Sequence, residues 1–302
     1  MPPAVRFLAA PGSGVGCGRF GAGIRVEQRG AAATRAAAAP GHSASPAAER
    51  AADAVSVTRR HSPLLTQPRA MAAGAMALAV VAHAGPVLGA VGPLRRRLLP
   101  RLSGIGASGG VALTFDDGPD PLGTPAVLEA LAAFGWTATF FMLGTQVRAY
   151  PDIARTVAAA GHEIAVHGDR HRNHLTRTPR GLTNDIRRAT DVIAQVTGRA
   201  PRWYRPPYGV LSSGTLVAAR AVGLQPVLWT AWGKDWNRTS PGAITCTVLR
   251  DLREGGTVLL HDSDCTSTAG SWRATARSLP LLAEHVQDRG WDVRTLSQHM
   301  AA

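Results

Sequence analysis

Two carboxylates side by side, Asp116 and Asp117, and two histidines four apart, His167 and His171, are the residues of this chain best suited to hydrolytic chemistry. Two imidazoles at that spacing fall on one side of a helical turn. Asp117, from elsewhere in the chain, would complete a three-ligand site for a divalent cation with a position left open for water. Neighbouring side chains on an extended segment point in different directions, so Asp116 and Asp117 can serve separate roles, one binding metal and the other taking a proton from the bound water. Blander readings stay open at this point: His162 and His174 make the pair an ordinary part of a His-rich loop, and Asp117-Gly118-Pro119 reads as an Asx-type turn. The intervening Gly168, Asp169 and Arg170 are not those of a His-Glu-x-x-His metalloprotease helix. Three cysteines, Cys17, Cys246 and Cys265, are odd in number and far apart with no Cys-x-x-Cys pair, so any metal rests on His and carboxylate.

The elements that must position these groups begin at Gly110, where short β-rich runs start to alternate with amphipathic stretches. Strands are expected over Val111–Phe115, Thr137–Leu143, Glu163–His167, Arg202–Arg205, Gln225–Thr230, Gly256–His261 and Trp291–Leu296. Helices are expected over Thr124–Phe134, Val147–Ala160, Pro179–Val196, Gly214–Val222, Ala243–Leu252 and Trp272–Arg289. Such alternation means βαβ units, an α/β fold and a mostly parallel sheet buried on both faces, and about seven strands suit one closed or nearly closed barrel. Chemistry gathers at the carboxyl ends of strands in this architecture. Five expected strand ends lead into titratable groups: Asp116-Asp117, His167, Arg205, Asp235 and His261-Asp262.

In order along the chain, Thr114-Phe-Asp-Asp-Gly-Pro119, His167-x-x-x-His171, Arg205-Pro-Pro-Tyr-Gly209, Asp235-Trp236 and Leu259-Leu-His261 resemble the five motifs of the polysaccharide deacetylases, the NodB-homology or carbohydrate esterase family 4 group. The resemblance covers about Val111 to Leu296 and implies a distorted (β/α) barrel of about seven parallel strands. It also implies metal-dependent hydrolysis of acetyl groups on carbohydrate, usually the N-acetyl of an amino sugar. It makes Asp117, His167 and His171 the ligands of a divalent metal, zinc first with cobalt or manganese as alternatives, and Asp116 the general base. It makes Arg205 the group that holds the base ionised, since an adjacent positive charge lowers an Asp pKa by roughly 1 to 3 units. The backbone N–H of Tyr208 becomes an oxyanion donor. His261 becomes the general acid, paired with Asp235, and Trp236 and Leu259 become walls of the slot for the acetyl methyl. Trp203, Trp229 and Trp232 are left as core or rim. Two departures stand out: Gly168 where the family usually has Ser or Thr, and Trp232 where the fuller fourth motif has an acidic residue. Competing activities are an O-acetyl esterase or small-molecule amidase with the same site, or a catalytically silent carbohydrate-binding module.

The chain's 302 residues and 45% hydrophobic content allow a sizeable core and exclude a wholly disordered protein. The net charge of +13 is uneven: through Gly110, 13 arginines against three acids make +10, leaving +3 for the rest. With Lys234 the one lysine among 33 basic residues, this reads as compositional bias, and a nucleic-acid partner is not expected. The partner expected is an acetylated glycan. Three parts follow: residues 1–69, an Ala/Gly/Arg-rich disordered leader or a stretch ahead of a natural start near Met71; residues 70–109, an Ala-rich apolar segment and basic linker; and residues 110–302, the deacetylase domain. Ala70–Leu94 carries no formal charge over 25 residues, enough to span a bilayer, but nine are Ala, four Gly and two Pro. Ala82-His83-Ala84 fits a signal-peptidase site. Membrane association or export through residues 70–94, and an Ala-rich helix packed on the domain, both stay open, and localisation with them.

Overall fold

The computed structural model describes residues 67–86 and 92–301. The expected leader lies outside the described residues except for 67–69, which open helix α1 (Gln67–Ala84). Ala73–Ala302 form one compact unit that holds every candidate site residue. Met76, Leu78, Val80 and Val81 of α1 are exposed, and among the described residues no helix is long and apolar enough to cross a membrane.

After α2 (Gly92–Leu98) the chain alternates as expected. Strands β1 (Gly110–Asp116), β2 (Thr139–Met142), β3 (Glu163–Val166), β4 (Trp203–Tyr204), β5 (Gln225–Pro226), β6 (Ala231–Trp232), β7 (Thr257–His261) and β8 (Asp292–Arg294) pair in parallel throughout. Their order is β5-β4-β3-β2-β1-β7-β6, with β8 on β1, which makes an α/β fold with a curled, unclosed sheet. All seven residues of β1 are buried, as a parallel strand covered on both faces requires. The covering helices are α3 (Gly123–Ala132), α4 (Gly144–Ala149), α5 (Pro151–Ala159), α6 (Pro179–Thr197), α7 (Ser213–Ala221), α8 (Pro241–Asp251), α9 (Trp272–Asp288) and α10 (Leu296–Ala301). Leu113, Phe115, Phe140, Ile186, Leu260 and Leu279 are among the side chains of the main core.

Three expectations change in detail. Val147–Ala160 is two helices, because Pro151 disfavours the helical conformation of Tyr150, which takes φ −131° and ψ 59°. Trp291–Leu296 ends as a strand at Arg294, since Thr295 and Gln298 exchange bonds that open α10: the Thr295 N–H donates to Gln298 Oε1 (3.0 Å) and the Gln298 N–H to Thr295 Oγ1 (3.4 Å). Gln225–Thr230 is not one strand but the segment where the curled sheet would have to close. There the Val227 N–H donates to Tyr204 O on one side and the Thr230 N–H to Thr257 O on the other. The carbonyls in between are taken by guanidinium groups: Leu228 O by Arg205 (2.9 Å), Trp229 O by Arg95 (2.5 Å) and Thr230 O by Arg96 (2.8 Å). Buried carbonyls without a ladder partner need such donors.

Register carries this fold into the site. Asp116 at the end of β1 lies opposite Phe141 of β2 and His261 of β7, while Val166 lies opposite Met142 and Tyr204. The residues that follow Val166 and Tyr204 are His167 and Arg205, so Asp116, His261, His167 and Arg205 emerge at one level of the sheet.

Candidate active site

Asp117 follows β1 with φ 78°, a left-handed conformation that non-glycine residues seldom adopt, and this turns its carboxylate away from that of Asp116. Its Oδ1 lies 3.4 Å from His167 Nε2 and 3.7 Å from His171 Nε2. His167 leaves the end of β3, and its Nδ1–H donates to Arg205 O (2.8 Å), which fixes the tautomer and leaves Nε2 with its lone pair. Burial first, then the neighbouring His171 and Arg205, push the His167 pKa well down, so the ring is neutral. His171 is also pushed down by burial. The two histidines do not share a helical turn, contrary to the expectation from their spacing. The segment is a loop with Gly168 at φ 99°, and the rings meet with centroids 5.3 Å apart because the loop folds back.

These three residues fit a divalent cation. Bonds of about 2.1 Å in tetrahedral geometry put donor atoms about 3.4 Å apart, close to the separations seen. Asp117 Oδ1 is buried and accepts no hydrogen bond, a costly state for a carboxylate oxygen unless a cation takes it. Among the described residues, this is the one group of three such side chains whose ligand atoms lie within 4.8 Å of one another.

Asp116 lies beside this triad, with Oδ2 3.8 Å from His167 Nε2. Fully buried Arg205 donates through one nitrogen to Asp116 Oδ1 (2.7 Å) and Thr114 Oγ1 (2.8 Å), and stacks over Phe141 at 4.0 Å. The expectation that Arg205 lowers the Asp116 pKa needs correction in its net result. Burial raises it more than Arg205 and His261 lower it, and the carboxyl is pushed up to about 6. Across the cleft the His261 Nδ1–H donates to Asp235 Oδ1 (2.9 Å). Asp235 Oδ2 accepts the His261 backbone N–H (2.8 Å) and the Thr275 hydroxyl (2.7 Å). Burial opposes the charge on His261, but Asp235, with Asp117 and Asp116 beyond it, raises its pKa to about 9. The site therefore holds a carboxyl whose pKa is pushed up to about 6 facing an imidazole whose pKa is raised to about 9.

A cleft of about 320 Å³ joins these groups. Tyr208, Trp236 and Leu259 line it as expected, and so do Trp229, Trp232, Thr266 and Ser267. Tyr208 sits at φ 60° in the turn Pro207–Gly209, with its ring edge on His171 at 4.3 Å. Trp232 stacks on Trp236 (4.4 Å, 17°) and tilts against Trp229 (5.5 Å), forming an aromatic wall. Trp203 is core, its indole N–H donating to Glu163 and Ser297. His162 and His174 stay outside the cleft: His162 Nδ1 accepts the Ala138 N–H, and His174 stacks on Tyr204. Thr266 and Thr275 had no signal in the sequence, since a hydroxyl's role depends on what lies opposite it. A roomier groove of about 780 Å³ beside Phe134–Thr137 and Trp291–Arg294 lies at the opposite ends of the strands and holds none of the candidate site residues.

Residues 105–227 match the family model for polysaccharide deacetylase. The chain is 36% identical over 209 residues to the chitooligosaccharide deacetylase of Sinorhizobium fredii, a match covering 67% of this chain and 96% of that one. It is also similar to a solved peptidoglycan N-acetylglucosamine deacetylase, with a TM-score of 0.61 and 29% identity over 65% of this chain and 91% of the other. A third similarity is to a family 4 acetyl xylan esterase from Clostridium thermocellum solved with a cobalt ion, with a TM-score of 0.57 and 28% identity over 62% and 88% of the two chains.

Proposed function

The chain belongs to the polysaccharide deacetylase family, and from that premise we propose that it is a metal-dependent hydrolase that removes acetyl from N-acetylglucosamine units of an oligosaccharide or glycan, releasing acetate and a free amine. The observation that carries the reading is the opposed ionisation of Asp116 and His261 on facing strand ends, beside a three-ligand cluster in one cleft. A divalent cation held by Asp117, His167 and His171 supplies, when bound, Lewis acidity toward the acetyl carbonyl and a lowered pKa for water.

The protein's own groups do the rest. Asp116, held by Arg205, accepts the proton of the attacking water. The Tyr208 backbone N–H donates to the oxyanion that develops as the carbonyl carbon becomes tetrahedral. His261, kept protonated by Asp235, gives its proton to the departing amine so that the C–N bond can break. Trp236 and Leu259 wall the space for the methyl group and exclude water from it.

Acetate release tests this reading. N-acetylglucosamine oligomers and an O-acetylated xylan are compared with zinc, with cobalt and with excess chelator. Release from the amide substrate that stops on chelation and returns with metal is expected. Full activity of metal-stripped protein in chelator overturns it. Trp232, standing where the family motif usually has an acid and stacked on Trp236, favours one second reading, O-acetyl esters as substrate. Release from the xylan alone would select it.

A further inference from the structure

Asp117 is held from the far side of the cleft by the loop that follows β7. The Thr266 hydroxyl donates to Asp117 Oδ2 (2.5 Å), and the Cys265 thiol lies 3.5 Å from Asp117 O, directed at it. The loop is itself tied down. The Cys265 N–H donates to Ser263 Oγ (3.2 Å), the Ser267 N–H to Asp264 O (3.0 Å) and the Thr268 N–H to Trp236 O (3.0 Å). Asp117 needs such support, because φ 78° is a conformation that L side chains rarely adopt. The carboxylate's two oxygens are thereby divided: Oδ2 is spent on Thr266, and Oδ1 faces the two Nε2 atoms with no hydrogen bond. Gly168, next to His167, offers no side chain from its own side of the site.

We propose that Thr266 is a positioning residue for the metal site: with Cys265 it clasps Asp117, locks the rotation of its carboxylate and presents Oδ1 to a divalent cation. The inference rests on the metal-dependent reading above. Without the hydroxyl, Oδ2 is left unpaired and the carboxylate can turn, so the ligand must be ordered at the moment of binding. Partners of this kind, one step removed from the metal, are worth about 10–100-fold in affinity.

The test uses the full chain and two ions. Zinc affinity is measured by competition with a chromophoric chelator, and the visible absorption of the cobalt-loaded protein reports ligand geometry. Thr266→Val, which keeps the shape and removes the hydroxyl, is expected to bind zinc about 10–100-fold more weakly and to change the cobalt band. Thr266→Ser is expected to restore both. Should Thr266→Val fail to fold, Thr266→Ala carries the same comparison. Equal affinity and spectrum in the hydroxyl-free variant and the wild type overturn the clasp alone, as does a Thr266→Ser variant as weak as Thr266→Val. A wild-type chain that takes up neither ion overturns the metal site itself.

Discussion

At the scale of single residues, surroundings give two side chains of one type different tasks. Asp116 and Asp235 are both buried carboxylates, yet one faces Arg205 in an otherwise desolvated pocket and the other is spent on His261 and Thr275. Replacing Asp116 by Asn keeps its size and removes its basicity, so Asp116→Asn is expected to bind zinc as before while kcat falls about a hundred- to ten-thousand-fold. His171→Ala is expected to lose both, which metal titration beside acetate release will separate. The pH profile of kcat/KM follows from the two pKa values. Activity rises as Asp116 ionises and falls as His261 loses its proton, giving a bell with limbs at or below about 6 and at or below about 9. Both limbs lie at or below these values because a cation at Asp117 favours the charged form of Asp116 and disfavours that of His261. Removing the Asp235 charge leaves burial as the largest influence on His261, which lowers its pKa. Asp235→Asn is therefore expected to pull the alkaline limb down toward neutrality, as pH–rate profiles of the two proteins will show.

At the scale of elements, parallel register is what converts separate motifs into a site. The β1–β7 pairing sets Asp116 opposite His261, and β3–β4 pairing brings His167 and Arg205 out together. Both alignments depend on helices that cover the sheet, and α6, α7 and α8 among these open on a side-chain cap. Helix α7, which follows the Arg205–Gly209 motif, opens with a capping box between Ser212 and Thr215. Ser212→Ala is expected to cost about 1 kcal/mol, a fall of roughly 2–4 °C in Tm by thermal melting. The pattern of strands and helices was legible because apolar runs and helix periods are local. The break at Tyr150 was legible in principle from Pro151, whereas the split of Gln225–Thr230 was not. Those residues fail to form one strand because their partners change from β4 to β7 midway, with Arg95, Arg96 and Arg205 taking the carbonyls between.

At the scale of the whole molecule, the charge and the chemistry occupy different parts of the chain. Every residue given a role in the cleft lies between Asp116 and Thr275, while most of the net charge lies before Gly110. Arg95 and Arg96 are exceptions among these arginines, since they cover carbonyls in the gap between the sheet edges. A chain that begins at Gly92 loses the bonds of His83 to Leu175 O (3.2 Å) and Ser213 Oγ (3.4 Å) but none of the candidate reacting groups, and is expected to keep kcat/KM for acetyl release within about twofold of the full chain. A chain that begins at Gly110 is expected to melt at a lower temperature than either.

The sequence alone determined the alternating architecture and the identity of the candidate metal, base and acid groups, because strand and helix periods are written locally and side-chain chemistry is fixed by residue type. Tertiary structure decided the rest. His167 and His171 meet through a folded loop and not a helical turn, Trp229 and Trp232 face the cleft with Trp236, and Thr266 reaches Asp117 across 148 intervening positions. It also decided that burial outweighs Arg205 at Asp116, since desolvation depends on everything packed around a group and no stretch of sequence contains it.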